Sequence, residues 1–103
     1  MIAVLWRFRP KDDSVEPFEE AYGPGGAWAR LFRTADGFLG TELLRSADGS
    51  YVTIDRWRTE AALERFLERC TREYDLLESA CEALTSEETP IGRFESIAGE
   101  DEA

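Results

Sequence analysis

Residues 38–58 read FLGTELLRSADGSYVTIDRWR. Two runs rich in aliphatic, aromatic and β-branched residues flank the segment Ser46-Ala47-Asp48-Gly49, whose composition is typical of a turn. The pattern predicts a β-hairpin with strands over 38–45 and 51–58. Alternation along the second strand then divides its side chains between two faces, with Tyr51, Thr53, Asp55 and Trp57 on one and Val52, Ile54, Arg56 and Arg58 on the other.

The residues before the hairpin predict one strand and two helices. Apolar side chains occupy every second position from Ile2 to Phe8, which predicts a strand that ends at Pro10. Helical spacing of apolar residues follows over 14–22 and again over 27–36. The loop Gly23-Pro24-Gly25-Gly26 separates the two helical patterns, and we expect it to act as a mobile lid because aromatic residues flank it.

The residues after the hairpin predict a long helix and a last strand. Thr59 is a favourable helix N-cap, and an apolar stripe then runs from Leu63 to Leu84, which predicts a single helix over 60–84. Pro90 is expected to end the following turn, so the last strand is predicted over 91–97.

This order of elements predicts an α+β fold of the ferredoxin-like, split βαβ type. Its four-stranded antiparallel sheet should carry the helices on one face. Apolar side chains occur on both faces of the predicted strands, so we expect the bare face to form a homodimer with a second copy. Residues 1–98 are predicted to form one domain, and residues 99–103 a disordered acidic tail.

Composition excludes several classes of function. The formal net charge of −10 argues against binding to nucleic acids or to anionic membranes. The sequence contains no His, Asn or Gln, which excludes Ser-His and Cys-His nucleophile pairs, His-rich metal sites and haem held by a proximal His. The groups that can take part in a reaction are therefore those of Asp, Glu, Tyr, Arg, Lys11, the backbone or the substrate itself. No metal or cofactor site is expected.

The two cysteines indicate the cellular compartment of the protein rather than a functional site. Cys70 and Cys81 lie ~16 Å apart along one straight helix, which is beyond the reach of a disulfide. Two unpaired thiols and the lack of a signal peptide at the sequenced start predict a reducing, cytoplasmic location. We expect both cysteines to serve as small core residues.

The aromatic residues are interpreted either as the hydrophobic core or as the walls of a pocket for a flat aromatic ligand. They include Trp6, Tyr22, Trp28, Phe32, Phe38, Tyr51, Trp57 and Tyr74. Asp55 is the carboxylate of greatest interest because it lies between Thr53 and Trp57 on one strand face. If that face meets the helices, desolvation raises its pKa and makes it a candidate base; otherwise it pairs with an Arg.

The chain resembles the antibiotic biosynthesis monooxygenase family of dimeric α+β barrels. The resemblance covers residues 2–97 and rests on Gly37-Phe38-Leu39-Gly40, the strand from Tyr51 to Trp57, Thr59-Glu60-Ala61-Ala62-Leu63 with Phe66, and Ile91-Gly92-Arg93-Phe94. It implies a dimer with a pocket between sheet and helices in each subunit. Trp57 matches the family's strand-end pocket tryptophan, whereas Thr53 replaces an asparagine often found four positions earlier.

The resemblance implies a cofactor-independent monooxygenase in which the anion of a small aromatic or quinol-like substrate reduces dioxygen directly. The catalytic candidates are Asp55 or Tyr74 for the proton, Thr53 to orient an oxygen atom and Trp57 as a pocket wall. The candidate substrate-binding residues are Tyr22, Trp28, Phe32 and Phe38. Two alternatives stay open: a non-catalytic dimer that binds small molecules or assists assembly, and an isomerase or cyclase acting on a polyketide-like substrate.

Overall fold

The computed structural model describes residues 1–97, so the predicted tail at 99–103 lies outside the described residues. Its elements follow the predicted order: β1 (Ile2–Pro10), α1 (Val15–Tyr22), α2 (Ala27–Phe32), β2 (Phe38–Arg45), β3 (Tyr51–Trp57), α3 (Glu60–Arg69), α4 (Thr71–Cys81), a short 3₁₀ turn (Glu82–Leu84) and β4 (Thr85–Glu95).

The four strands form one antiparallel sheet in the order β2-β3-β1-β4. β3 is inserted between β1 and β2, which is the arrangement of a split βαβ unit. The helices cover one face of this sheet, as the sequence predicts. Both β1 and β3 are central strands, so side chains on their inner face lie beneath the helices.

The long helix predicted over 60–84 is in fact interrupted. Cys70 leaves helical geometry, with φ −112° and ψ 25°, and divides the segment into α3 and α4. The hydroxyl of Thr71 donates a 2.7 Å hydrogen bond to the carbonyl of Leu67, four residues back. Such side-chain bonds compete with the helical backbone ladder and bend helices. Both cysteines are free thiols, with Cys81 buried and Cys70 partly buried.

The last strand begins earlier than predicted. β4 runs from Thr85 to Glu95 and contains Pro90, which the sequence analysis placed in a turn. β4 lies at the sheet edge, and its register with β1 shifts where Leu5 and Trp6 face Gly92 and Pro90. A proline is accepted at such a place because an edge strand at an irregularity does not need its N–H in the ladder.

The core is largely aromatic and lies between the inner sheet face and the helices. Its two most completely buried large side chains are Trp57, at 1% exposure, and Phe18, at 0%. The ring centroid of Trp57 lies 5.8 Å from that of Phe32 and 5.3 Å from that of Phe66. No helix among residues 1–97 has the length and apolar character needed to cross a membrane.

Candidate active site

Two cavities lie side by side between the inner sheet face and the helices. The larger, here called the Trp57 cavity, has a volume of about 280 Å³, and Trp57, Leu63 and Leu67 form much of its wall. The smaller, here called the Glu88 cavity, has a volume of about 40 Å³. The side chains that line both are Trp6, Phe32, Asp55 and Tyr74. These four residues therefore form the boundary between the two cavities.

Asp55 is the carboxylate at this boundary. The alternation of β3 turns its side chain toward the helices, as it does for Thr53 and Trp57. Thr41, directly opposite on β2, donates a 2.7 Å hydrogen bond to Asp55 Oδ1. No described Lys or Arg forms an ion pair with Asp55. Of the two environments left open by the sequence, the structure shows the desolvated one.

Burial raises the pKa of Asp55 from 3.8 to about 6, and the hydrogen bond from Thr41 partly opposes this rise. Water stabilises the carboxylate more than the neutral acid, so desolvation favours the protonated form. A pKa near 6 leaves the group mostly ionised at neutral pH while making it a stronger base than an exposed aspartate. It can therefore accept a proton from a ligand held in either cavity.

Tyr74 and Tyr22 are phenols that stay protonated near neutral pH. Burial raises the pKa of Tyr74 to about 12, with further contributions from Glu78, Glu88 and Asp55. Burial likewise raises the pKa of Tyr22. A phenol with a raised pKa is a hydrogen-bond donor and a poor base at neutral pH. This contrast favours Asp55 over Tyr74 as the group that accepts a proton.

Thr53 and Trp57 lie on either side of Asp55 along β3. Thr53 lines the Glu88 cavity, is 4% exposed, and its hydroxyl has no hydrogen-bond partner among the described residues. That hydroxyl is consequently free to bond a ligand. Trp57 lines the other cavity, where its ring forms part of the apolar wall.

Three of the four predicted binding residues line the cavities. Tyr22, Trp28 and Phe32 line the Glu88 cavity, and Phe32 also lines the Trp57 cavity. Phe38 lines neither, because its partly buried ring packs against the core, 5.4 Å from the ring of Phe32 and 5.2 Å from that of Trp57. The structure thus places Phe38 behind the cavity wall.

The glycine-rich loop is tied down at several points. Arg30 donates a 2.7 Å hydrogen bond to the carbonyl of Gly25, and Arg33 donates one of 2.6 Å to that of Pro24. Within the loop, the N–H of Gly26 bonds the carbonyl of Gly23 at 2.9 Å. These contacts give the loop a defined conformation, which does not favour the mobile lid expected from its composition.

Several cavity residues were not among the predicted site residues; they include Thr41, Glu78 and Glu88 in the Glu88 cavity and Arg93 in the Trp57 cavity. Thr41 could have been found by counting back along the hairpin from the Arg45–Tyr51 pair, because that register sets Thr41 opposite Asp55. Glu88 lies in a segment that was read as a turn. Glu78 lies on α4, within the helix that the sequence predicts over 60–84, but outside its apolar stripe. Among residues 1–97, no group of three or more His, Cys, Asp or Glu side chains is placed to hold a metal ion.

The chain belongs to the antibiotic biosynthesis monooxygenase family, whose sequence profile matches residues 1–70. The described fold, with its helix-covered antiparallel sheet, is the fold of that family's solved members. No curated protein sequence is a significant match to the chain.

Several solved structures share this fold. A variant of SnoaB, a cofactor-independent oxygenase from Streptomyces nogalater, is 27% identical with a TM-score of 0.71, and the match covers 98% of this chain and 97% of that one. A putative antibiotic biosynthesis monooxygenase from Deinococcus radiodurans is 12% identical with a TM-score of 0.77, and the match covers 100% and 99%.

A variant of MhuD with two manganese protoporphyrin IX molecules per active site has a TM-score of 0.70. It is 15% identical, and the match covers 99% of this chain and 100% of that one. The structures below 25% identity show the fold alone. Porphyrin binding is thus a property of MhuD, and the present sequence has no His to ligate a haem iron.

Proposed function

We propose that the protein is a cofactor-independent monooxygenase that acts on a small aromatic or quinol-like metabolite. The observation that carries this proposal is Asp55: a carboxylate without a cationic partner, raised to a pKa of about 6, at the boundary of two aromatic-walled cavities. The family match and the 27% identity to SnoaB support the same class of reaction.

The proposed reaction begins when Asp55 removes a proton from the bound substrate. The resulting anion then bonds to dioxygen, so the substrate itself is the reductant. For an activated methylene group, as in an anthrone, one oxygen atom replaces two hydrogens as a carbonyl and the other leaves as water. The four electrons that dioxygen gains are those that the methylene carbon loses, and no other reductant enters the balance.

The other residues have supporting roles in this proposal. Thr53 donates its free hydroxyl to a substrate oxygen, where negative charge accumulates on deprotonation. Tyr74, protonated at neutral pH, donates a hydrogen bond to the substrate at the boundary of the two cavities. Trp57 holds the ring of the substrate in the larger cavity. Trp28 and Tyr22 form part of the apolar wall of the Glu88 cavity near Asp55 and Thr53, which lowers the local polarity and strengthens these interactions.

We also propose that the chain works as a homodimer joined through the outer sheet face. This face carries apolar side chains of central strands β1 and β3, namely Leu5, Val52 and Ile54, with Leu44 on β2 and Phe94 on β4. Leu44 and Phe94 are 46% and 49% exposed in the single chain. A second copy would remove this apolar surface from water.

Oxygen consumption tests the proposal. Chelator-treated protein is supplied with anthrones and hydroquinones, and uptake is compared with substrate autoxidation alone. We expect uptake above that background, reduced about 10²-fold or more in Asp55→Asn. Trp57→Phe keeps an aromatic ring in the cavity wall. A loss of oxygen uptake in this variant therefore indicates a defect in the pocket rather than unfolding of the chain.

Product analysis distinguishes the alternatives. Ligand binding without extra oxygen uptake, seen as quenching of tryptophan fluorescence, would favour a binding protein. Turnover to a product of unchanged mass would favour an isomerase or cyclase. Either result would overturn the oxygenase proposal.

A further inference from the structure

The Glu88 cavity has an acidic lining without a basic residue. Glu78 on α4 and Glu88 on β4 face it as exposed side chains, and Asp55 lies at its inner boundary. No Lys or Arg lines this cavity. None of the three carboxylates forms an ion pair with a described residue.

The two glutamates are close enough to repel each other. Burial and the nearby charges of Glu78 and Glu82 raise the pKa of Glu88. The positions one turn away from Glu78 are Tyr74 and Asp75 on α4 before it, and Cys81 and Glu82 after it, so no cation lies beside Glu78 along the helix. Two like charges that face one cavity without a counter-ion disfavour the empty state, and a bound cation would relieve this repulsion.

The remaining walls of the cavity are suited to the same kind of ligand. Trp28 lies edge-on to Tyr74 with ring centroids 5.0 Å apart, and 6.0 Å from Tyr22, so three electron-rich rings meet there. Aromatic faces attract ammonium groups, and tryptophan does so most strongly. Independently of the acidic residues, two polar groups on this wall lack a described hydrogen-bond partner: the buried indole N–H of Trp28, and the hydroxyl of Thr53, a residue that is 4% exposed.

We propose that the Glu88 cavity binds the protonated amine of an aromatic ligand whose ring occupies the Trp57 cavity. The substrate class is therefore an aromatic compound with a short aminoalkyl arm, rather than one with a carboxylate or phosphate. This inference rests on the site of the proposed function, but it concerns binding and is independent of the reaction with dioxygen.

The sizes of the two cavities agree with a ligand of this shape. A volume of about 40 Å³ exceeds the roughly 10–15 Å³ needed for one water molecule, so it admits a small head group and excludes a second ring. The Trp57 cavity, at about 280 Å³, has room for the ring. Asp55 borders both cavities and would lie beside the atoms that join the ring to the amine.

Calorimetric titration with three matched probes tests the inference. The probes are hydroxylated naphthalenes of equal size that carry an aminomethyl, a hydroxymethyl or a carboxylate group. We expect the aminomethyl probe to bind about tenfold more tightly than the hydroxymethyl probe, and the carboxylate probe to bind most weakly. The preference should fall severalfold in Glu88→Gln and disappear in the Glu78→Gln/Glu88→Gln double variant.

The controls are Glu73→Gln on α4 and Glu87→Gln on β4. Each removes one charge from the same element as a cavity glutamate, but neither residue lines the cavity, so both should keep the wild-type preference. Equal affinity for the three probes, no measurable binding of the aminomethyl probe, or an unchanged preference in the double variant would overturn the inference. Oxygen uptake with neutral quinols is measured separately, so a failure here is distinguishable from failure of the proposed function.

Discussion

Thr41 Oγ1 donates a 2.7 Å hydrogen bond to Asp55 Oδ1 directly across the β2–β3 ladder. The bond favours the charged carboxylate, whereas burial favours the neutral acid, and burial has the larger effect. The outcome is a pKa of about 6 for a group that borders both cavities. Thr41 is thus a positioning residue that acts on the proposed base without lining the Trp57 cavity.

Replacement of Thr41 by Val should move the pH dependence of turnover. The variant loses the hydrogen bond that stabilises the carboxylate, so the pKa of Asp55 rises further, by about one unit. The acidic limb of kcat/KM, measured by oxygen consumption, should shift to higher pH by the same amount. Thr53→Val is the control, because Thr53 does not bond Asp55; it should lower kcat and leave the midpoint in place. An unmoved midpoint in Thr41→Val would contradict the assignment of Asp55 as the base.

Replacement of Asp55 by Asn should stabilise the fold at neutral pH. The folded-state pKa of Asp55 lies above its unfolded value, so the folded protein binds the extra proton between pH 4 and 6, and stability falls as pH rises through that window. A shift of about two units corresponds to ~3 kcal/mol, which the neutral amide avoids. Chemical denaturation at pH 7 should therefore show a larger free energy of unfolding for Asp55→Asn, and the difference should shrink toward pH 4.

Asp48→Asn is the control, because the pKa of Asp48 is shifted in the opposite direction from that of Asp55. Hydrogen bonds from Ser50 lower the pKa of Asp48 to about 2, so its carboxylate stabilises the fold above pH 4, and this contribution is lost as pH falls toward 2. The variant should be less stable than the wild type at pH 7. If both variants changed stability in the same direction, burial would not be the cause of the Asp55 effect.

Local patterns were sufficient to predict most of the architecture. Strand alternation from Tyr51 to Trp57 correctly divided the side chains of β3 between two faces but did not specify which face meets the helices, and the element order predicted the split βαβ topology. The prediction failed where the position of a strand in the sheet, or a side-chain hydrogen bond to the backbone, overrides a local preference. Pro90 is accepted in β4 because that strand lies at an edge, and Cys70 interrupts the helical stripe although its apolar spacing continues unbroken.

The candidate site was predicted less completely than the fold. Asp55, Thr53 and Trp57 became candidates because they share one strand face and because the family resemblance points to Thr53 and Trp57; their roles stay predictions. Glu78 and Glu88 come from two elements that meet only in the folded chain, so no local pattern brings them together. The core position of Phe38 depends on how its ring packs against Phe32, which spacing alone does not specify.

Substitutions at two neighbouring glycines should differ in their effect on stability. A Cβ on Gly26 would clash with the carbonyl of Glu20 and lie 2.5 Å from that of Ala21, both fixed in α1. Gly26→Ala should therefore destabilise the fold by about 1–3 kcal/mol in thermal or chemical unfolding. A Cβ on Gly25 meets no atom within 4 Å, so Gly25→Ala should be nearly neutral. Equal effects of the two substitutions would show that the loop is not held as described.

The proposed dimer predicts which exposed leucine is sensitive to charge. Leu44 lies on the outer sheet face and is 46% exposed in the single chain, whereas Leu76 lies on α4 and is 62% exposed. In analytical ultracentrifugation we expect the wild type and Leu76→Glu to sediment at twice the 11.7 kDa chain mass. Leu44→Glu should shift the protein toward the monomer, because the interface would bury an unpaired carboxylate against its symmetry mate. Both substitutions are at exposed sites, so circular dichroism should show an unchanged fold. A monomeric wild type, or equal masses for the two variants, would exclude assembly through this face.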